Sequence, residues 1–536
     1  MTHEKIFKIL LSTTLALILV ILGVGYVFYY KYLDQVTLQH DNEQISKYKR
    51  SLDYSSFGID DFSNRYQELE PALAYANIEA IQSGISAGDY SCQEVVQFYV
   101  YRIKQHEAYN AVLELNDAAM DHASRIDKKI KNNEANSLFC TVVLIKDNIA
   151  HANMHTAAGA YFIKDLTTER DAFIVARLEE QDAIILGKAN LSEWSNFMAK
   201  FPRNGFSVLG GQTKHSFGPY DVGGSSSGPA VAASLGLSTI SVGTETSGSL
   251  IYPAAQNSTV ALKPTLGLVS RDLIIPITEK QDTAGVMART VADLAKTFPV
   301  LVGFDAKDPL TAVANQFDAS DLDNIQTYDL AGKRFGYVAD DSFELRRILD
   351  DLRVAGAIPV EIELPSSDQV DMIPVLLHGI KHDLNAFLNN KDVNAPVQSL
   401  AEIVAFNKEN EDYMPFGQHY LELGLDDNMT TAEYDDMAAN NRHITSEILQ
   451  QAIKNNDLDA MVSYSNRLTI YYAPAGFPAL TVPAGYKDDG EPFGITFVGN
   501  YLEDASLIKI AYAYVTQFPH RQRPLKYIEN TSLKPQ

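Results

Sequence analysis

The chain has 536 residues, which is enough for one large catalytic domain or two to three smaller domains. Its formal net charge of −24 argues against a nucleic-acid-binding protein, because proteins that grip phosphate backbones present a basic surface. Cys92 and Cys140 are the only cysteines, so the chain is not a disulfide scaffold and we expect two buried free thiols. The twelve histidines are scattered, and we predict neither a metal site nor a cofactor.

The amino terminus carries a targeting segment. Residues 1–8 contain two lysines, and residues 9–30 contain no charged side chain. A helix over residues 9–30 would be about 33 Å long, which is enough to cross a bilayer. It ends in a cluster of aromatic residues typical of a membrane interface, whereas a cleaved signal peptide has a shorter apolar core. We therefore predict a single-pass membrane protein with an uncleaved transmembrane helix in the lipid bilayer and an extracytoplasmic domain.

The rest of the chain is predicted to contain a stalk and one domain. Residues 31–75 are polar and mixed in charge, which favours a juxtamembrane stalk. Residues 76–530 show no internal repeat and no low-complexity linker, which favours one large domain. Within it, residues 305–460 are more polar and more helical, and the pattern Thr430-x-x-Glu433 predicts the start of a long helix there.

Strands and helices are predicted to alternate along this domain. The pattern Ser91-x-x-Glu94 is a capping box that predicts a helix through Gln105. Pro229 followed by Gly236 predicts a second helix. Short runs rich in β-branched residues predict strands at 141–145, 183–186, 237–242, 479–483 and 495–498. The alternation implies an α/β sandwich.

Two glycine–serine clusters stand out, GSSSG at 224–228 and TSGS at 246–249. They are separated by a predicted helix and a predicted strand, and no histidine lies between them. Helix capping by Ser226 or Ser227 would explain one cluster but not the other. Two such loops, each at the end of an element, are what a hydroxyl nucleophile and an oxyanion-binding site require.

Two other nucleophile sites are less consistent with the sequence. Ser226 satisfies the G-x-S-x-G pattern of a nucleophile elbow, but the residues before it contain glycine and proline rather than the buried strand that an elbow needs. Cys140 and Lys146 are close in sequence, which suggests a nitrilase-type Glu-Lys-Cys site. In that class, however, the lysine precedes the cysteine by a long interval, and here the cysteine comes first.

Eight motifs, in one order, resemble the amidase signature family of serine amidases over roughly residues 75–525. Two of these motifs contain the glycine–serine clusters, namely GGQTKHSFGPYDVGGSSSG (210–228) and VGTETSGSLIYPAA (242–255). The others are VVLIKDNI (142–149), MHTAAGA (154–160), GKANLSEWSNF (187–197), ALKPTLGLVSR (261–271), QDTAGVMARTVAD (281–293) and AGFPALTVPAG (475–485). Within the family the motifs are most similar to those of bacterial peptide amidases. The resemblance implies an α/β/α sandwich with a large mixed central sheet covered by helices.

The resemblance also implies a Ser–cis-Ser–Lys triad. By position, Lys146 is the base, Ser225 the bridging serine after a cis peptide bond, and Ser249 the nucleophile. Lysine acts as a base only when neutral, and burial at the end of an apolar strand lowers its pKa in that direction. The oxyanion hole would consist of the backbone amides of Thr246, Ser247, Gly248 and Ser249.

Ser247 departs from the family pattern, since peptide amidases usually carry an acid there. The resemblance implies an amidase that cleaves the C–N bond of a linear carboxamide, with small-molecule or peptide amides as substrates and peptide C-terminal amides as the leading class. A lipid-amide hydrolase and a catalytically idle binding or scaffold protein are the alternatives, and a tRNA-dependent amidotransferase is disfavoured by the acidity and the anchor. Residues 305–460 diverge most and are predicted to supply the substrate pocket. The oligomeric state is not predicted.

Overall fold

The computed structural model of the protein describes residues 48–524, of which residues 50–524 form one compact unit. The strands of this unit are β1 Val112–Leu115, β2 Val142–Lys146, β3 Thr167–Thr168, β4 Ile184–Ala189, β5 Phe206–Ser207, β6 Gly211–Gln212, β7 Ile240–Glu245, β8 Val260–Lys263, β9 Thr283–Ala288, β10 Arg334–Tyr337, β11 Ile358–Glu361, β12 Val393–Asn394, β13 Ala460–Tyr464, β14 Ala479–Tyr486 and β15 Pro492–Val498.

The α-helices are interleaved with these strands. They are α1 Ser63–Leu73, α2 Ile78–Ala87, α3 Cys92–Gln105, α4 Ala119–Lys131, α5 Phe173–Glu180, α6 Ser227–Leu235, α7 Ile251–Gln256, α8 Val291–Leu301, α9 Phe343–Val354, α10 Met372–Leu388, α11 Leu400–Glu409, α12 His419–Leu425, α13 Thr431–Asn455, α14 Thr469–Ala475 and α15 Asp504–Gln517.

An eleven-stranded sheet forms the centre, in the order β1-β4-β2-β7-β9-β8-β14-β15-β13-β10-β11. Strand β2 is parallel to β4 and to β7, and β10 is parallel to β11 and to β13. The remaining neighbours in the sheet are antiparallel. The predicted α/β fold with a large mixed sheet and covering helices is therefore confirmed.

Local sequence explains the long helices that the patterns predicted. In α3, the Ser91 side chain accepts the Glu94 amide and the Glu94 carboxylate accepts the Ser91 amide, which completes the capping box. Thr430 and Glu433 form the same reciprocal pair at the start of α13. Both predicted helix starts are confirmed, because a capping box depends on residues only three positions apart.

Strands β2 and β7 bring two segments of the chain to one edge of the sheet. Both strands are fully buried. The run 141–145 predicted a buried strand, whereas the run 237–242 predicted an alternating strand that starts three residues before Ile240, the first residue of β7. They are parallel neighbours, with Ile145 paired with Val242. The carboxyl ends of parallel strands meet at the same edge. Lys146, the last residue of β2, therefore lies beside Thr244 and Glu245, the last residues of β7.

Helix α6 begins at Ser227, within the first glycine–serine cluster, and is buried along its whole length. Arginine side chains bind its last carbonyl groups. Arg102 donates two hydrogen bonds to the Leu235 oxygen, at 3.1 and 2.9 Å, and Arg521 donates to the Ser234 oxygen at 3.1 Å. These cations satisfy unpaired carbonyls at the negative end of the helix and hold it against the sheet.

The compact unit begins before the predicted boundary at residue 76. Arg50 donates its backbone N–H to Leu209 at 2.9 Å and forms an ion pair with Glu114. Apolar side chains then recur every three or four residues and are buried, at Phe62, Tyr66, Leu69 and Leu73. The stalk prediction is therefore wrong for residues 50–75, because a mostly polar composition hides a helical apolar face.

Within residues 48–524, no helix is both long enough and apolar enough to span a bilayer. The predicted anchor, residues 9–30, lies outside the described residues, as do residues 1–8 and the first part of the predicted stalk.

Cys92 and Cys140 form a disulfide, with their Cα atoms 5.5 Å apart. The expectation of two free thiols is therefore wrong. Cys92 is the first residue of α3 and Cys140 precedes β2, so their distance depends on how that helix packs on the sheet. A sequence separation of 48 residues carries no information about that packing.

Candidate active site

Lys146 is fully buried at the end of β2 and points to the first glycine–serine cluster. Its Nζ lies 2.7 Å from Ser225 Oγ and 2.8 Å from Thr244 Oγ1, and it is 3.4 Å from the Thr244 carbonyl oxygen. The structure thus brings together two of the predicted triad residues, which are 79 positions apart in the chain.

Burial lowers the pKa of Lys146 from its ordinary value to about 7. The carboxylates of Asp282 and Glu245 act in the opposite direction, because a nearby negative charge favours the ammonium form. Burial has the larger effect. A substantial fraction of the amine is therefore neutral near pH 7, which is the state that a base requires.

The three oxygens around Nζ match the bonding capacity of a neutral amine. Such an amine has two N–H donors and one lone pair. The two Thr244 oxygens can accept the N–H groups, which leaves the lone pair for the Ser225 hydroxyl proton. Asn148 Nδ2 also donates to Thr244 Oγ1, at 3.1 Å, and orients that hydroxyl. Lys146 is therefore placed to take a proton from Ser225.

The first loop, residues 223–228, contains the cis peptide bond Gly224–Ser225 that the resemblance implied. The Ser225 carbonyl accepts the Ser192 amide at 3.0 Å. All six residues of this loop are buried. The backbone of Ser225 is therefore held while its hydroxyl faces the lysine.

The other two serines of the first loop bind backbone groups. Ser226 Oγ donates to the Thr244 carbonyl at 2.9 Å and accepts the Thr244 amide at 3.2 Å. Ser227 Oγ donates to the Gly223 carbonyl at 2.5 Å. Ser226 occupies the N-cap position of α6, but its side chain makes no capping bond. The interpretation of Ser226 as a helix-capping side chain is therefore wrong, since the hydroxyl joins the loop to β7 instead.

The second loop, residues 246–250, lies against the first. The Ser226 amide donates to the Ser249 carbonyl at 3.1 Å, so backbone contact places Ser249 beside the segment that carries Ser225. Ser249 and Ser247 are partly exposed, whereas Ser225 is fully buried. Of these serines, Ser225 contacts the lysine, and Ser249 is the partly exposed predicted nucleophile.

Glu245 organises the second loop. Its Oε1 accepts the Gly248 amide at 2.7 Å, and its Oε2 accepts the amides of Leu250 at 2.7 Å and Ile251 at 3.1 Å. The Gly248 amide is thus bonded to this carboxylate, and its place among the oxyanion-binding amides stays a prediction. Charge-assisted bonds of this kind are stronger than neutral ones, so the carboxylate fixes the course of the loop.

The other predicted oxyanion donors remain available. In the part of the chain that the structure describes, the amides of Thr246, Ser247 and Ser249 have no hydrogen-bond acceptor. The Thr246 hydroxyl donates to the partly buried carboxylate of Asp282, whose second oxygen accepts the amides of Ile277 at 2.8 Å and Thr278 at 2.9 Å. Asp282 therefore ties the oxyanion loop to the segment before β9.

Sequence reasoning missed the supporting roles of Thr244, Glu245 and Asp282. Each lies inside a motif of the resemblance, VGTETSG or QDTAG, and that position was the available signal. The contacts themselves join β2, β7 and the segment before β9, and no local pattern predicts them.

A cavity opens beside these loops. Its lining includes Asn148, Ser195, Thr246 and Arg271, with an apolar wall formed by Ile274, Ile275 and Ile277. A second cavity is lined by Glu193 and Asn196, which flank Ser195 on both sides in the chain, and by residues 414–417. Segment 305–460 thus contributes to this cavity, and its role in substrate binding stays a prediction.

The two alternative nucleophiles do not fit this geometry. No strand runs directly into Ser226, and its hydroxyl is bonded to the backbone of Thr244. Cys140 is bonded to Cys92 and has no free thiol. A nucleophile elbow and a nitrilase-type site are both excluded.

Comparisons with known proteins agree with the site. Residues 94–508 match the model of the family described as Amidase. A probable amidase from Arabidopsis thaliana is 34% identical over 480 residues, which cover 85% of this chain and 92% of that protein. The crystal structure of an amidase family protein from Bacillus anthracis superposes with a TM-score of 0.84 at 35% identity, covering 91% of this chain and 97% of the other.

The native peptide amidase from Stenotrophomonas maltophilia superposes with a TM-score of 0.78 at 34% identity, covering 84% of this chain and 98% of the other. The predicted resemblance to bacterial peptide amidases is confirmed by this neighbour. The chain belongs to the amidase signature family, whose members hydrolyse the C–N bonds of amides.

Proposed function

We propose that this protein hydrolyses a linear carboxamide through an acyl-enzyme on Ser249, with Lys146 as the base and Ser225 as the proton carrier between them. The observation that carries the proposal is the buried Lys146 amine, 2.7 Å from the Ser225 hydroxyl and with a pKa lowered to about 7. A base with a pKa near the working pH is the most effective.

In the first half of the reaction, Ser249 Oγ attacks the amide carbon as its proton passes to Ser225 and the Ser225 proton passes to Lys146. The carbonyl oxygen becomes an oxyanion and accepts the amides of Thr246, Ser247 and Ser249. The proton then returns through Ser225 to the leaving nitrogen, and ammonia or an amine departs. The product of this half is an ester on Ser249.

Water completes the cycle. Lys146, neutral again, takes a proton from water through Ser225 as the water oxygen attacks the ester carbon. Collapse of the second tetrahedral intermediate returns the proton to Ser249 and releases the carboxylic acid. The relay moves one proton in each half, from Ser249 to the leaving nitrogen in the first and from water to Ser249 in the second, so no histidine is required.

A fluorophosphonate probe tests which hydroxyl reacts, because it forms a covalent bond with an activated serine. Mass spectrometry of the digested full-length protein should place the adduct on Ser249. An adduct on Ser226 would contradict the proposal, since the Ser226 hydroxyl is bonded to the Thr244 backbone.

We propose the C-terminal amides of peptides as the substrate class. The support is the likeness to the Stenotrophomonas maltophilia peptide amidase and the GSSSG and GTETSGS motifs. Ammonia release from amidated dipeptides should exceed hydrolysis of long-chain fatty amides under the same conditions. The reverse order would favour a lipid-amide hydrolase instead.

We propose a membrane-anchored location with the catalytic domain outside the cytoplasm. The uncharged segment 9–30 and the Cys92–Cys140 disulfide support it, because disulfides persist in oxidising compartments. The full-length protein should fractionate with membranes, and protease added to intact spheroplasts should digest its domain. Recovery in the aqueous fraction, or a mature chain that begins beyond Tyr30, would contradict this location.

A further inference from the structure

Two histidines and an aspartate form a cluster in a different part of the domain. His378 and His382 lie four residues apart on α10, and Asp427 lies two residues beyond the end of α12. One ligand atom from each residue lies within 4.8 Å of the others. The description of the histidines as scattered is therefore wrong at this place, where the His-x-x-x-His spacing is visible in the sequence.

The donor set is one that zinc prefers. Imidazole nitrogens and a carboxylate oxygen are common zinc ligands, and histidines four apart on a helix lie on one face of it. His378 Nδ1 lies 2.9 Å from Asp427 Oδ2. In a tetrahedral site with bonds of about 2.0–2.2 Å, two ligand atoms lie about 3.3–3.6 Å apart. A zinc ion can thus take the place of the proton between His378 Nδ1 and Asp427 Oδ2 once these two atoms move slightly apart.

Neighbouring contacts hold two of the three ligands in place. The ring of Tyr434, on α13, stacks on His378 with centroids 4.4 Å apart, and the His378 side chain is 2% exposed. Lys381 donates to the backbone carbonyl of Asp427 at 2.7 Å and to that of Leu425 at 3.1 Å. The lysine therefore fixes the backbone of Asp427 and leaves its carboxylate for a cation.

The third ligand gives the site an entrance. His382 is exposed, and its ring stacks on His378 with centroids 4.1 Å apart. An exposed imidazole can change rotamer to close the distance to the other two ligands. Solvent on this side supplies water for the fourth coordination position.

We propose that His378, His382 and Asp427 bind one Zn²⁺ ion, with water as the fourth ligand. The ion joins α10 to the segment between α12 and α13 and stabilises that part of the domain, since a ligand that binds only the folded state raises its stability. Neither histidine contacts the Lys146–Ser225 pair, so the site is separate from the amide-hydrolysing chemistry.

The test uses the full-length protein, stripped with EDTA and then dialysed against Zn²⁺. Elemental analysis should find one zinc per chain, and zinc should raise the melting temperature. His382→Ala and Asp427→Asn should each weaken zinc binding at least about tenfold, because loss of a direct ligand costs no less than loss of an outer-shell partner. Co²⁺ in the same site should give the intense visible bands of tetrahedral coordination.

His443→Ala is the matched control. His443 and Glu447 are another exposed pair four residues apart on a helix, 3.9 Å from each other. This variant should bind zinc as the unmodified protein does. Absence of bound zinc, or an equal loss in His443→Ala and His382→Ala, would overturn the proposal. Melting of each zinc-free variant at the temperature of the zinc-free parent shows that the substitution has not unfolded the domain.

Discussion

The two glycine–serine loops are similar in composition, but they differ in how many of their hydroxyl and amide groups are hydrogen-bonded. In the first, residues 223–228, Ser226 and Ser227 donate their hydroxyls to backbone carbonyls, and Ser225 contacts Lys146. In the second, residues 246–250, Ser249 is partly exposed and several amides are unpaired within the described chain. The number of serines in a loop therefore says little about reactivity, which depends on the hydrogen bonds that the fold leaves unmade.

The acid Glu245 accounts for much of this difference. Its carboxylate accepts the amides of Gly248, Leu250 and Ile251, whereas those of Thr246, Ser247 and Ser249 stay unpaired among the described residues. The first loop lacks an acid and is held instead by hydroxyl contacts with β7. Substitutions in the two loops should therefore have distinct effects.

The largest effect is expected for Ser249→Ala. Without the nucleophile no acyl-enzyme forms, so kcat should fall by at least about 10⁴-fold, as for a nucleophile acting within a catalytic unit. Rates of ammonia release measure this loss. If Ser249→Ala kept the parental rate, the nucleophile would have to be a serine of the first loop instead.

The next effect is expected for Lys146→Met, which keeps the bulk and removes the base. Loss of general-base catalysis should lower kcat by about 10²–10⁴-fold. In the parent, protonation of Lys146 removes the base, so activity should fall as the pH drops through the lysine pKa of about 7. That acidic limb of the pH–rate profile should be absent from the variant.

Lys263→Met is the control for burial. Lys263 is also fully buried, but its amine donates only to the carbonyls of Pro264 at 2.9 Å and Phe477 at 2.8 Å among the described residues. This variant should melt at a lower temperature and keep the acidic limb. Loss of the limb in Lys263→Met would contradict the assignment of the base.

Glu245→Gln tests the organiser of the second loop. The amide NH₂ of glutamine cannot accept the backbone N–H groups that one carboxylate oxygen accepts, so the oxyanion-binding amides should shift. Loss of an oxyanion donor costs about 10²–10³-fold in kcat, and we expect a loss towards the lower end. The variant also lacks a negative charge that raises the Lys146 pKa, so the acidic limb should move to lower pH.

A matched control for that shift is Glu363→Gln, at an exposed acid outside both loops. Its pH–rate profile should superpose on that of the parent. A limb that stays in place in Glu245→Gln, or that moves equally in both variants, would show that Glu245 does not act on the lysine.

The smallest effect on activity is expected for Ser226→Ala, in the first loop. It leaves the buried amide and carbonyl of Thr244 without the Ser226 hydroxyl, which should cost about 1–3 kcal/mol of unfolding free energy. Chemical denaturation measures this change, and kcat should remain within about tenfold because Ser226 donates no proton in the reaction. Ser56→Ala, at an exposed hydroxyl, should stay within about 0.5 kcal/mol.

Much of the fold follows from short-range patterns. The capping boxes at Ser91 and Thr430 predicted helix starts that the structure has, and the buried run 141–145 predicted β2. Residues 50–75 were predicted to be a stalk because most of them are polar. The few apolar residues at helical spacing, which pack into the domain, were too sparse to correct that prediction. Predicted elements are therefore most accurate where the deciding residues are neighbours in the chain.

The sequence by itself determined that Lys146 ends a buried strand and that two glycine–serine clusters follow, because strand burial and turn chemistry are local properties. Only the tertiary structure decided which hydroxyl contacts the lysine, that Glu245 accepts the Gly248 amide, and that Cys92 forms a disulfide with Cys140. Periodicity shows which face of an element is buried, but not what it packs against. Hydrogen bonds between distant segments depend on that packing.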